Sequence, residues 1–152
     1  MKPRTKARSV ALQALYEIDI SEHGIGTVME NRFKETEMEE RLQNFALEIV
    51  RGIVPIREKL DGYIAEHAPE WPIDQVSIID RNLLRIALWE IIVYGDTPVK
   101  VAINEAIELA KIYGSDSTPR FVNGVLGSLA ERANEIKRSL KDSLDIEDSG
   151  SE

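Results

Sequence analysis

Residues 75–94 read QVSIIDRNLLRIALWEIIVY, and this stretch decides the fold. At the helical period of about 100° per residue, its apolar side chains cover well over half of the helix circumference. A helix that is apolar on so many sides is buried by neighbours all round. We therefore predict a central helix over 75–94, capped at its start by Asp74, on which the other elements pack.

The polar residues of the central helix are few and carry information. Arg81, Asn82 and Arg85 gather on the one narrow polar sector, where they either solvate the helix or contact a ligand. Glu90 falls inside the apolar sector, where an unpaired carboxylate is costly. We predict that Glu90 is a structural acceptor for backbone N–H groups or for an arginine.

Composition indicates a globular protein and excludes several kinds of site. The chain has 152 residues, enough to bury a core within one domain. It has no cysteine, which excludes disulfides, thiol nucleophiles and cysteine metal sites and suits a reducing, cytoplasmic location. No apolar run is long enough to span a bilayer, so we expect no membrane contact.

Charge is distributed unevenly along the chain. The net charge is −8, yet residues 1–8 carry four cations and no acid, which leaves −12 on residues 9–152. A short basic arm on an acidic body is typical of an interaction device. Residues 140–152 are acidic and lack a core pattern, so we predict one domain over 1–139 followed by a disordered tail.

The first helix is predicted from Pro3, a favoured first helical residue, to about Ile20. Its two faces differ: one is apolar, and the other carries the basic arm followed by Gln13 and Tyr16. That second face is either a solvated surface or a nucleic-acid surface on which cations neutralise phosphates and Tyr16 stacks on a base.

Further helices are predicted over 27–35, 38–53, 56–67 and 98–113, with Thr97 as the cap of the last of these, and a final helix runs from 119 through Ala133. No strand pattern occurs. The sequence therefore predicts an all-α bundle of about seven helices, arranged in two lobes that share the central helix.

The start of the final helix is a second candidate surface. Arg120, Phe121 and Asn123 lie in its first turn, where free N–H groups and the helix dipole favour an anion. Lys111, one turn before Gly114, is placed to lie beside the same spot. The alternative is that Phe121 belongs to the core.

Nothing in the sequence supports catalysis or a cofactor. His23 and His67 lie on different elements, each beside a glutamate but without a second spaced ligand, so no metal site is predicted. The motifs of nucleophile elbows, zinc proteases and phosphate-binding loops do not occur.

Three stretches together resemble the NusB family of transcription antitermination factors: KPRTKARSVALQALYEIDIS at 2–21, DRNLLRIALWEI at 80–91 and DTPVKVAINEAIELAKIYGSDSTPRFVNGVLGSLA at 96–130. The resemblance implies the helical NusB fold. It also implies binding of the boxA element of ribosomal RNA transcripts together with NusE, a small-subunit ribosomal protein. Such a complex acts on RNA polymerase with other Nus factors, so that transcription passes termination signals without any catalysed reaction.

The resemblance also implies an RNA-binding surface in three parts. Its arm and first helix fall on Lys2, Arg4, Lys6, Arg8, Gln13 and Tyr16, its central-helix part on Asp80 and Arg81, and its third part on Ser117, Thr118, Arg120, Phe121 and Asn123. Arg85 and Lys111 are expected to add phosphate contacts. The arm is thinner than the consecutive arginines of some relatives, so we expect weaker RNA affinity and more dependence on the protein partner.

Two other functional classes compete with this interpretation. NusB-like domains also occur fused to ribosomal RNA cytosine methyltransferases, which need a further α/β domain; the sequence ends soon after its last predicted helix, so we expect no such enzyme. A helical scaffold that binds only proteins, with the arm as a solvated end, is the other. Some family members are homodimers that cover the RNA surface, so monomer and homodimer are both open.

Overall fold

The structure is a computed structural model that describes the backbone of residues 1–150 and the side chains of residues 1–148. Over these residues it contains eight α-helices and no strand, which confirms the all-α prediction. In chain order they are α1 Pro3–Ile20, α2 Ile25–Glu35, α3 Glu40–Ile53, α4 Arg57–Glu66, α5 Ile78–Trp89, α6 Val99–Tyr113, α7 Thr118–Glu131 and α8 Ala133–Gly150.

Helix α5 is the shared centre of the bundle. It packs against α1 and α3 on one side and against α4, α6 and α7 on the other. On this helix no more than 1% of Leu83, Leu84 or Leu88 is exposed. The continuous apolar pattern of the central stretch therefore arises because both lobes bury it.

The ends of the central helix differ from the prediction. Residues Ile73–Gln75 form a separate 3-10 turn, and the Ser77 hydroxyl, not Asp74, caps α5 by accepting the Asp80 N–H at 3.1 Å. At the other end the helix widens into a π turn over Glu90–Tyr94, closed by the Gly95 N–H donating to the Glu90 carbonyl at 3.0 Å. Gly95 ends the turn because its φ of 78° is a left-handed conformation that glycine adopts without strain.

The cap predicted for α6 is also wrong. Thr97 lies before the helix, and its hydroxyl donates to the Glu90 carboxylate at 2.9 Å instead of accepting from the first turn. The helix begins at Val99, directly after Pro98. Thr97 therefore ties the entry of α6 to the π turn.

Helix α8 corrects the predicted disordered tail. It continues to Gly150 through the domain boundary predicted at residue 139, and residues 151 and 152 lie outside the described part. Ile136 and Leu140 are buried in the common core, with Leu144 partly buried beside them. Lys59 of α4 also holds this helix, by donating to Ser143 at 2.8 Å and to Glu147 at 2.6 Å. A four-residue apolar spacing is sufficient to dock this otherwise charged helix.

Candidate nucleic-acid interface

The basic arm runs from Lys2, just before α1, into the second turn of this helix, and three of its four cations lie at the surface. Lys2 is exposed. Arg4 lies 4.0 Å above the Phe45 ring and donates to the Tyr94 hydroxyl at 2.9 Å. Lys6 donates to the Glu37 carbonyl at 2.8 Å. Arg4 and Lys6 are therefore placed by contacts with α3, the π turn and the segment before α3.

Arg8 is a correction to the predicted arm. Its side chain is 4% exposed and makes two hydrogen bonds of 2.8 Å to the Glu90 carboxylate. Glu105 lies 3.6 Å from the same guanidinium. A buried cation that already holds a carboxylate is not available to a phosphate, so Arg8 belongs to the core. The same contacts confirm the prediction that Glu90 is a structural acceptor for an arginine.

Gln13 and Tyr16 continue the polar face of α1 but differ in how far their side chains are exposed. The Gln13 amide donates to the Tyr113 hydroxyl at 3.0 Å and accepts from Arg32 at 3.2 Å, which leaves its side chain half-buried. Tyr113 also bonds to the Ser9 hydroxyl. Tyr16 is 38% exposed, so part of its ring is open to solvent. No role for Tyr113 was predicted from the sequence. Its one signal was its position directly before Gly114, at the end of α6.

Lys111 lies where α6 passes the start of α1. Together with Lys2 and Ile112 it lines an open groove between the two helices. Its ammonium group pairs with Glu108 at 3.1 Å in a solvent-exposed contact that costs little to exchange. Lys111 therefore remains available to an anionic ligand.

Arg85 is a second correction, because it is part of a buried ion-pair cluster. Its guanidinium donates to Asp61 at 2.7 and 2.6 Å and to Asp19 at 2.7 Å. Burial alone would lower the pKa of Arg85, but the hydrogen bonds and charges of Asp61 and Asp19 raise it above its ordinary value. Asn82 completes the cluster by donating to Asp19 at 2.9 Å. Arg85 therefore joins α1, α4 and α5 and does not face a ligand.

Arg81 has a structural role as well. Its Nη2 donates to the Ile73 carbonyl at 2.6 Å and to the Val76 carbonyl at 3.2 Å. The residue is half-buried, and these bonds fix the 3-10 turn before α5. Arg81 thus positions the neighbouring surface instead of offering a free charge to phosphates.

Asp80 and Thr118 join the starts of α5 and α7. The Thr118 hydroxyl donates to Asp80 Oδ1 at 2.9 Å and accepts the Ser115 N–H at 2.9 Å. Thr118 is buried, so it positions Asp80 and does not itself reach a ligand. Gly114 permits this packing, since a Cβ there would lie 2.5 Å from the Thr118 side chain.

The first turn of α7 presents the third part of the surface. Ser117, Arg120 and Asn123 are exposed, and Phe121 is half-buried with its inner part against the core. Both readings of Phe121 therefore hold in part. None of these four side chains makes an ion pair within the described residues, so Arg120 keeps its charge for an external partner.

The three parts meet at the end of α6. Tyr113 contacts α1 through Ser9 and Gln13, and two residues later Ser115 contacts Thr118 at the start of α7. The surface that results carries exposed or half-exposed cations, aromatic rings and amides, the mixture that a single-stranded nucleic acid requires. Its accessible members are Lys2, Arg4, Lys6, Tyr16, Lys111, Ser117, Arg120, Phe121 and Asn123.

Metal binding and membrane insertion find no support in the described residues. No group of three or more His, Cys, Asp and Glu side chains is placed to hold a metal ion in this part of the chain. None of the described helices combines the length and hydropathy needed to cross a membrane.

Comparison with known sequences gives consistent matches along most of the chain. A model of the NusB family matches residues 5–131. The transcription antitermination protein NusB of Dehalococcoides mccartyi is 46% identical over 128 residues, covering 84% of this chain and 90% of that protein. The protein of the same name from Anaeromyxobacter dehalogenans is 45% identical over 128 residues, covering 84% of this chain and 89% of that protein.

Solved structures give the same result at the level of the fold. NusB of T. maritima superposes with a TM-score of 0.80 at 30% identity, covering 91% of this chain and 99% of that chain. A crystal structure of the antitermination factors NusB and NusE in complex with double-stranded RNA matches with a TM-score of 0.78 at 26% identity. That match covers 86% of this chain and 98% of the solved one.

Proposed function

This chain belongs to the NusB family of transcription antitermination proteins, and from that membership we propose that it binds RNA together with NusE and catalyses no reaction. The observation that carries the proposal is the similarity to the NusB–NusE complex with RNA, which extends over 86% of this chain. The exposed cations and aromatic rings at the starts of α1 and α7 support the same proposal from this chain's own residues.

We further propose that the RNA is the boxA element of ribosomal RNA transcripts. In this role the protein acts in the cytoplasm, within an RNA polymerase complex that contains other Nus factors and suppresses termination. Lys2, Arg4, Lys6, Lys111 and Arg120 neutralise phosphates, while Tyr16 and Phe121 offer ring faces to unstacked bases. The acidic remainder of the chain repels RNA elsewhere and restricts it to this surface.

A fluorescence anisotropy titration tests the proposal. Labelled boxA RNA and a scrambled RNA of equal length are each titrated with the protein, with and without NusE. Tighter binding to boxA, enhanced by NusE, is the expected result. Equal binding to both RNAs, or none with NusE present, would contradict it.

The competing protein-only scaffold has one observation in its favour: Arg4 and Lys6 are held by protein groups, Tyr94 and Glu37. Deletion of residues 1–8 would remove Arg8 from the core, so the sharper variant changes Lys2, Arg4 and Lys6 to Gln. RNA binding should weaken strongly while NusE binding persists. An RNA affinity equal to that of the parent would favour the scaffold.

A further inference from the structure

A cleft of about 440 Å³ lies between the start of α5 and the start of α7. Phe121 and Arg120 line it from α7, Asp80 lines it from α5, and Trp71 lines it from the segment before α5. Three of these four residues belong to the interface described above. Trp71 lies outside that interface, because it belongs neither to the arm nor to the start of α7.

Trp71 is placed in an unusual way for a tryptophan. It is 54% exposed, whereas Trp89 is buried in the core. An indole left in water forgoes the burial energy that tryptophan usually contributes, and its exposed surface is available to a ligand.

The backbone that carries Trp71 is nevertheless firmly held. The Trp71 N–H donates to the Ala68 carbonyl at 3.0 Å, and Pro72 follows directly. Further along, the Arg81 side chain donates to the carbonyls of Ile73 and Val76. The indole is therefore carried by a braced turn, which lowers the entropy cost of fixing the backbone when a ligand binds against it.

The charges around the cleft select its occupant. Asp80 lies inside with Oδ1 fixed by Thr118, and a carboxylate there repels a phosphate but accepts N–H groups from the edge of a base. Arg120 is exposed and free of ion pairs within the described residues, so it suits a phosphate beside the cleft. Trp71 and Phe121 both line the cleft, and no ring contact joins them within the described residues.

From these observations we propose that the cleft binds one unstacked base of the RNA, with Trp71 as its stacking face and Asp80 as an acceptor for its N–H groups. The inference rests on the proposed RNA-binding function and extends the interface beyond α7 to the segment before α5. Base stacking on an aromatic side chain tolerates different bases, so the carboxylate supplies the preference for a base that donates hydrogen bonds.

Tryptophan fluorescence tests the proposal directly, because the chain has two tryptophans and one is buried. The intact protein, with NusE present, is titrated with boxA RNA, and the emission of Trp71 should be quenched as a base stacks on it. Trp71→Phe should remove the quenching while keeping most of the affinity, since phenylalanine also stacks. Trp71→Ala should weaken RNA binding about 5- to 100-fold.

A matched control is Ile146→Ala, which removes an exposed apolar side chain on α8, outside the interface, and should leave RNA affinity unchanged. Abasic substitutions along the RNA then identify the base concerned. Removing that base should cost the parent protein at least the factor that Trp71→Ala costs, and should cost the Trp71→Ala variant less than it costs the parent.

The outcomes separate this inference from the proposed function. If the parent protein binds no RNA, the proposed function itself fails. If the parent binds RNA with its arm dependence intact, but Trp71 is not quenched and Trp71→Ala binds RNA normally, only the base pocket is overturned. If Trp71→Ala instead weakens NusE binding without RNA and leaves RNA binding by the protein alone unchanged, the cleft is a protein contact and the inference is likewise overturned.

Discussion

At the scale of single residues, burial decides whether an arginine belongs to the fold or to the ligand surface. Arg8 and Arg85 each point into the bundle and meet carboxylates from distant parts of the chain, Glu90 for the first and Asp61 with Asp19 for the second. Arg120 has no such acid within the described residues and stays in solvent. Desolvating a guanidinium costs several kcal/mol, so only those with precise acceptors are buried.

Replacing a buried arginine should therefore lower the free energy of unfolding and leave the proposed RNA-binding surface unchanged. Arg85→Ala leaves Asp61 without the cation it contacts and leaves Asp19 with Arg57, 3.1 Å away, as its remaining cation. We expect a loss of about 3 kcal/mol in the free energy of unfolding, measured by urea denaturation. Arg132→Ala breaks an exposed pair with Glu135 and serves as the control, with no measurable change expected. If the Arg85→Ala protein were as stable as the parent but failed to bind RNA, Arg85 would be a residue of the RNA interface.

At the scale of elements, hydrophobic periodicity predicted the helices, but local hydrogen bonding set their ends. The first helix, Pro3–Ile20, is confirmed because Pro3 and an unbroken apolar face agree. The helix predicted over 75–94 was too long at both ends. At its start, Ser77 and not Asp74 caps α5. At its end, the π turn begins at Glu90, whose carboxylate accepts hydrogen bonds from Arg8 and Thr97. Such choices depend on partners that a helical wheel does not contain.

The same limit applies to the interface. Its exposed cations and aromatic rings were predictable from one face of α1 and one helix start. The roles of Arg8, Arg85 and Thr118 were not, because their partners lie 82, 66 and 38 residues away along the chain. Tyr113 was missed for the same reason, since its hydroxyl meets Ser9 across 104 residues.

Helix α8 offers a test at this scale, because it lies beyond the 5–131 range that the family model matches. Leu140→Ala should lower the free energy of unfolding by about 2–4 kcal/mol, since its side chain is buried in the common core. Ile146→Ala, on the same helix with 73% of its side chain exposed, should change little. Equal, negligible effects of both substitutions in thermal and urea denaturation would mean that this segment is not docked.

At the scale of the whole molecule, a net charge of −8 coexists with a basic candidate interface because residues 1–8 hold four cations and no acid. The buried ion pairs sharpen this separation. They use acids such as Asp19, Asp61 and Glu90 to neutralise internal arginines, which leaves the remaining acids on the outer surface to repel RNA. Binding should therefore depend on where a charge lies more than on the total.

Salt dependence measures this separation. With Arg8 in the core, three arm cations remain, and with Lys111 and Arg120 the interface offers five. At about 0.7 per neutralised phosphate of a single strand, log K against log salt should fall with a slope of about −3.5. Changing Lys2, Arg4 and Lys6 to Gln should bring the slope to about −1.5, because three phosphate contacts disappear.

The control for that experiment changes the net charge equally but in another place. Lys137, Arg138 and Lys141 lie exposed on α8, and their replacement by Gln should leave the slope unchanged. If both triple variants flattened the slope by the same amount, affinity would follow total charge and the arm would have no special position. A flattened slope for the arm variant alone would show that the RNA backbone runs along α1, because counterion release counts only the phosphates that a cation actually meets.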